Sequence, residues 1–274
     1  MDLFQWSLLL FSILLIGIFL LSQWSTTFNF YCKMAFFFTW CTYWAATMTI
    51  FLSPVLRRNP DNMKLLRIFI WPLKHFYGIK IAVQGSENLN MKEPYVIVCN
   101  HQTYLDLLGM MEIMPDRCVP VAKKELLQLC LVGWACWLSG MIFINRREKE
   151  EAREIFRQAA QTMWHENLRI WVYPEGTRNK AETLLPFKRG AFHLAVQAQA
   201  PIVPVVISSY RDFYSAKEKR FTAGTLKIRI LPKVETQDLS LEDIPELSDS
   251  IRRRMQDTYN EISGEMSKGK DAKQ

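Results

Sequence analysis

The chain has 274 residues, 49% hydrophobic and 22% charged, which suffices for one packed domain plus a membrane anchor. Its net charge of +7 lies almost wholly in the later part, because only Asp2 and Lys33 are charged before Arg57. A basic domain behind an apolar start points to anionic partners, phospholipid headgroups or a phosphorylated substrate, and the scatter of the basic residues with the apolar start disfavours nucleic acid.

Residues 3–21 form an apolar run broken only by Gln5, Ser7, Ser12 and Gly17, long enough to span a bilayer core. A cleaved signal peptide would want a basic start and small residues at its exit, where this chain has Asp2 and Trp24. A second run, residues 34–56, is rich in Phe, Trp and Tyr and closes with Pro54 before Arg57 and Arg58. Basic flanks favour the cytoplasmic side, so the two runs predict a hairpin with both ends cytosolic. A buried amphipathic helix is the competing reading of the second run.

From residue 79 the pattern changes to short apolar strands alternating with helices. Strands are expected at 79–83, 95–99, 118–122, 141–144, 168–173 and 202–207. Helices are expected at 148–164, where apolar residues recur at helical spacing, and at 190–198. Residues 226–231 read as an edge strand, because Lys227 and Arg229 alternate with apolar residues. Residues 126–144 are long enough for a third span, but they read better as a core helix followed by a strand. A polar helix is expected over 245–265. The predicted fold is α/β, a mostly parallel central sheet with flanking helices, preceded by a two-helix membrane anchor. The domains divide as 1–60 anchor, 61–265 catalytic domain and 266–274 disordered basic tail. The six cysteines form no Cys-x-x-Cys pair and have no nearby histidines at ligand spacing, so they read as reduced thiols without zinc.

Three blocks carry chemistry. Asn100-His101-Gln102-Thr103-Tyr104-Leu105-Asp106 follows the strand ending at Cys99, and ligands of α/β sheets gather at the carboxyl ends of strands. On one continuous helix His101 and Asp106 would splay by about 140°. With His101 in the loop and Asp106 in the next helix, the carboxylate can reach back and fix the imidazole tautomer. Gly140 to Arg147 again runs a strand into charge, and Tyr173-Pro174-Glu175-Gly176-Thr177-Arg178 leaves a strand through a turn. Arg146, Arg178, Lys123 and Lys188 can converge on one side of the sheet, where guanidinium groups suit phosphate. His75, His165 and His193 have no carboxylate at suggestive spacing and read as structural.

Together these blocks resemble the 1-acylglycerol-3-phosphate (lysophosphatidic acid) acyltransferases. Four ordered motifs match as NHQTYLD at 100–106, GMIFINRR at 140–147, YPEGTR at 173–178 and PIVPVV at 201–206. The resemblance covers about residues 70–235. It implies His101 as general base and Asp106 as its partner, with Arg146, Glu175, Gly176, Thr177 and Arg178 holding the acceptor phosphate. Lys123 in VAKKEL and Lys188 in PFKRG look like segments tied to phosphate binding. Asn145 departs from relatives that carry Asp before the arginine, which adjusts local charge and spares the arginine.

The chemistry is coherent without the family name. A thioester releases a thiolate whose thiol pKa is near ~8.5, so departure needs little acid help. The acceptor hydroxyl is the harder problem, and a general base typically supplies about 10²–10⁴-fold. Direct transfer from acyl-CoA needs no serine nucleophile, and no Gly-x-Ser-x-Gly elbow is present. No metal or redox cofactor is indicated. The expected partners are acyl-CoA, lysophosphatidic acid and a phospholipid bilayer, with the endoplasmic reticulum implied by the resemblance. Competing readings are an acyltransferase for glycerol 3-phosphate or another lysophospholipid, a thioesterase, and an inert lipid-binding protein.

Overall fold

The structure is a computed structural model that describes residues 2–52, 55 and 57–271. Two helices open it, α1 (Leu3–Trp24) and α2 (Thr26–Thr47), with Ser25 alone between them and a π turn, Met48–Leu52, after the second. Ser25 is extended backbone whose hydroxyl oxygen accepts from the Phe28 amide, so one residue ends α1 and caps α2. That cap starts the second helix earlier than the expected Met34. Pro54 and Leu56, which close the second run in the sequence, lie outside the described residues.

The two helices differ in what surrounds them. On α1 the side chains of Phe4, Leu10, Phe11 and Leu14 are exposed, an apolar surface that suits an apolar medium. On α2 the residues Phe30, Met34, Phe37 and Ala45, continued by Met48 of the π turn, form one buried stripe against the domain. The stretch Thr26–Leu52 is long and apolar enough to cross a membrane.

Two short helices, α3 (Met63–Ile70) and α4 (Leu73–Phe76), lead to the sheet. Then follow β1 (Ile79–Gln84), β2 (Tyr95–Cys99), α5 (Asp106–Ile113), β3 (Cys118–Lys123), α6 (Cys130–Leu138), β4 (Ile142–Ile144) and α7 (Lys149–His165). The chain continues through β5 (Arg169–Val172), α8 (Gly190–Ala198), β6 (Ile202–Ile207), a small hairpin β7 (Tyr214–Ser215) and β8 (Arg220–Phe221), β9 (Gly224–Ile230) and α9 (Ile244–Asp271). The main sheet has the order β1-β9-β6-β2-β5-β3-β4. Every pairing in it is parallel except β6 with β9. Residues 126–144 resolve into the expected core helix and strand.

Strand period sorts the core into two. In β2 the side chains of Tyr95, Ile97 and Cys99 join α2, α3, α5 and α6 in one cluster, whereas Val96 and Val98 join α7, α8 and α9 in the other. The sheet therefore has an anchor face and an opposite face.

Two expectations need correction. The strand at 226–231 is internal, lying between β1 and β6, and the edges are β1 and β4. Its alternation has another cause, since Leu226, Ile228 and Ile230 enter the core while Arg229 on the other face bonds Gln84 and Glu261 of α9. The last helix is also no polar add-on. Ile244, Leu247, Ile251, Met255, Tyr259 and Ile262 form its buried stripe, and it runs on through Asp271 into the tail expected to be disordered.

Candidate active site

The loop after β2 is fixed from both sides of His101. The Asn100 side chain donates to the Ile207 carbonyl at 2.9 Å and accepts from the Ile207 amide at 2.8 Å, extending the β2–β6 ladder by one step. The Gln102 side-chain amide donates to the carbonyls of Ile207 and Ser208 at 3.0 and 2.9 Å. His101 is held between these two anchors.

Asp106 opens α5, where the helix dipole favours a carboxylate. Its Oδ2 meets His101 Nδ1 at 2.6 Å and accepts from the amides of Gln102 and Thr103 at 2.6 and 3.0 Å. The loop thus undoes the 140° splay, as the spacing argument required. A carboxylate partner puts the imidazole proton on Nδ1 and leaves Nε2 as a base. The ring stacks on Tyr173, with centroids 4.1 Å apart, and the His101 side chain is only 18% exposed. Behind the pair lies the buried Tyr210 hydroxyl, which interacts with the Asp106 carboxylate. Burial first, then the charge of Asp106, push the Tyr210 phenol well above its usual range, so it stays protonated.

Glu175 turns inward. It is 3% exposed, and its carboxylate accepts from the His101 and Leu185 amides and the Asn179 side chain, each at 3.0 Å. Asn179 in turn donates its backbone N–H to the His101 carbonyl at 2.8 Å. Glu175 therefore fastens the loop after β5 to the loop after β2, with its oxygens committed to the protein.

Arg178 lies exposed with its guanidinium 3.6 Å from the Tyr104 ring centroid, and Tyr104 packs edge-on against Phe38 of α2. Arg146 donates to the Gly176 carbonyl. Burial lowers the Arg146 pKa and the nearby Arg178 charge adds to that, while Glu125 opposes it. Gly176 sits at φ +69°, and a Cβ there would come 2.7 Å from Lys188 Cε. Lys188 thus lies across the turn, and its amide holds Pro174 at 2.8 Å. The structure brings Arg146, Gly176, Arg178 and Lys188 together. Thr177 is exposed beside them. Lys123 ends β3, level with Ile144 of β4.

On the opposite face of the sheet, beyond Gly176, lies a cavity of about 500 Å³. Val121, Phe156, Val172 and Ala191 give it apolar walls, and Arg146 and Lys188 stand at its boundary with the turn. Sequence reasoning assigned no role to Asn100, Gln102, Tyr173 or Tyr210. The first two stand inside the block already singled out, whereas nothing local marks Tyr210.

Residues 80–208 match the family described as Acyltransferase. The chain is 50% identical to the 1-acyl-sn-glycerol-3-phosphate acyltransferase alpha of Mus musculus, covering 87% of this chain and 84% of that one. Against the human alpha protein the identity is 49%, with coverages of 86% and 83%. The yeast 1-acyl-sn-glycerol-3-phosphate acyltransferase is 35% identical over 81% of this chain and 74% of its own. Among solved structures, the 1-acyl-sn-glycerophosphate (LPA) acyltransferase PlsC of Thermotoga maritima superposes with a TM-score of 0.64 at 22% identity. It covers 87% of this chain and 98% of that chain, a likeness of fold.

Proposed function

The chain belongs to the 1-acyl-sn-glycerol-3-phosphate acyltransferases, and from that membership we propose that it moves a fatty acyl group from acyl-CoA to the sn-2 hydroxyl of lysophosphatidic acid, giving phosphatidic acid and free CoA. The observation that carries this reading is the 2.6 Å His101–Asp106 pair at the carboxyl end of β2, with the Arg146–Arg178 cluster beside it. His101 Nε2 takes the hydroxyl proton as the oxygen attacks the thioester carbonyl. Asp106 holds Nδ1 and stabilises the imidazolium. Collapse of the tetrahedral intermediate breaks the carbon–sulfur bond, and the thiolate recovers the proton from His101. No covalent acyl-enzyme forms.

Arg178, Arg146 and Lys188, with Lys123 at the neighbouring strand end, hold the acceptor phosphate. Gly176 and Thr177 shape the turn that presents them. Glu175 contributes by fixing that turn to the catalytic loop, as a carboxylate facing phosphate would repel it. The protein is integral to a membrane, proposed as the endoplasmic reticulum, with its α/β domain in the cytosol where acyl-CoA is found. The apolar surfaces of α1 and α2 support that placement.

The test is thioester turnover by the purified protein in detergent or liposomes, using one acyl-CoA and a panel of acceptors. Turnover that requires lysophosphatidic acid is expected. Release of CoA without any acceptor would make the protein a thioesterase, and a preference for glycerol 3-phosphate would move the acceptor assignment.

A further inference from the structure

We infer that the cavity between α7 and α8 receives the 3′-phosphorylated adenosine diphosphate end of the acyl donor, an assignment that rests on the acyl-CoA reading above. Direct transfer needs two phosphate-bearing substrates bound at once, and one cationic cluster cannot hold both. The two faces of the sheet separate them. The lipid acceptor reaches the site from the anchor face, where α2 meets Tyr104 and Arg178. The cavity opens on the other face, against α7 and α8, away from the apolar helices. A water-soluble ligand can reach it without passing the apolar helices.

The lining matches that end of the donor. Its apolar walls suit a purine ring, and about 500 Å³ falls within the roughly 300–1,000 Å³ typical of cofactor-sized sites. Arg153 and Arg189 add cationic groups, and His193 an imidazole, that none of the four motifs places in a site. His193 shows how crowded with positive charge this rim is. Burial first, then Arg153 and Arg189, lower its pKa. Arg153 pairs with Glu150, but both are exposed, so that bond costs little to exchange for a phosphate. At the Gly176 end, where Arg146 and Lys188 line it, the cavity meets the turn that carries Arg178, and Tyr173 lines the cavity while stacking on His101. The pantetheine arm would cross this turn, over the glycine, to deliver the thioester to His101.

The test uses the full-length protein in detergent, with Arg153→Glu and Arg189→Glu made together at these exposed positions. The KM for acyl-CoA is expected to rise about tenfold or more, the scale of a lost charge-assisted contact. The KM for lysophosphatidic acid, and turnover of the matching acyl-pantetheine thioester, should stay within twofold. Adenosine 3′,5′-bisphosphate should bind the wild type and raise the His193 pKa in an imidazole NMR titration, and should do neither in the double variant. Wild type that turns over acyl-CoA and acyl-pantetheine with the same KM would overturn the assignment while leaving thioester transfer in place. So would bisphosphate binding that the double variant retains. Wild type without acyl-CoA turnover would overturn the donor itself, a separate and recognisable outcome.

Discussion

His101 is held by its neighbours more than by its own contacts. Asn100 and Gln102 are each bonded to the end of β6, and Asp106 is fixed by two loop amides in addition to the imidazole. Replacing the imidazole should therefore remove chemistry and spare the fold. His101→Ala is expected to lower kcat by about 10²–10⁴-fold, the contribution typical of a general base, with an unchanged melting temperature. Asp106→Asn should be comparably severe, because an amide can hold the wrong tautomer. Retention of more than about a tenth of turnover in His101→Ala would rule out the base. The arginines belong to a different class of effect. Arg178→Ala and Arg146→Ala should raise the KM for lysophosphatidic acid about tenfold or more, since each charge-assisted contact contributes roughly 1.5–3 kcal/mol. Arg178→Lys should also be poor, because one ammonium reproduces neither the guanidinium fork nor its stacking on Tyr104. Equal losses toward acyl-CoA would reassign these arginines to the donor.

Among the elements, Glu175 of the turn after β5 and helix α2 support the site without touching substrate. Glu175 joins the turn to the catalytic loop through three hydrogen bonds. Glu175→Gln puts a donating NH₂ where an N–H already points, and leaving buried groups unmatched costs about 1–3 kcal/mol each. We expect lower kcat and a lower melting temperature together in this variant. A selective rise in acceptor KM at unchanged melting temperature would instead place the carboxylate at the substrate. For α2, Phe37 is 3% exposed in the anchor-side core, whereas Phe4 of α1 is 71% exposed. Phe37→Ala should destabilise by about 3–5 kcal/mol through the cavity it leaves, and Phe4→Ala should not shift the melt in detergent. Equal losses would mean that α1 also packs on the domain.

At the scale of the whole molecule, one continuous path links apolar surface to chemistry. Phe38 of α2 packs on Tyr104, Tyr104 on Arg178, and both loops border His101. With the anchor in lipid, the proposed base stands at the bilayer surface, where the hydroxyl of a lysolipid sits just below its phosphate. Each acyl methylene kept in an apolar medium contributes about 0.8 kcal/mol, so the acceptor need not leave the membrane to react. Single cysteines placed near His101 and near Arg178 should label from the same, cytosolic side of sealed microsomes. Labelling from opposite sides would make residues 126–144 a true span and break the single catalytic domain.

The sequence by itself determined the α/β class, most strand positions and the His101–Asp106 pairing, because these rest on local period, strand ends and a five-residue spacing. It also marked Arg146, Gly176, Arg178 and Lys188, each at a strand end or helix start where the fold gathers ligands. Only the tertiary structure decided that β9 is internal, since alternation reports one covered face and is silent about which strands lie alongside. The same limit hid the inward turn of Glu175, whose partners His101, Asn179 and Leu185 come from separate parts of the chain. It hid the surroundings of His193 too, because Arg153 approaches it from another helix. Local pattern records what a residue needs around it, and packing alone chooses which distant residue supplies it.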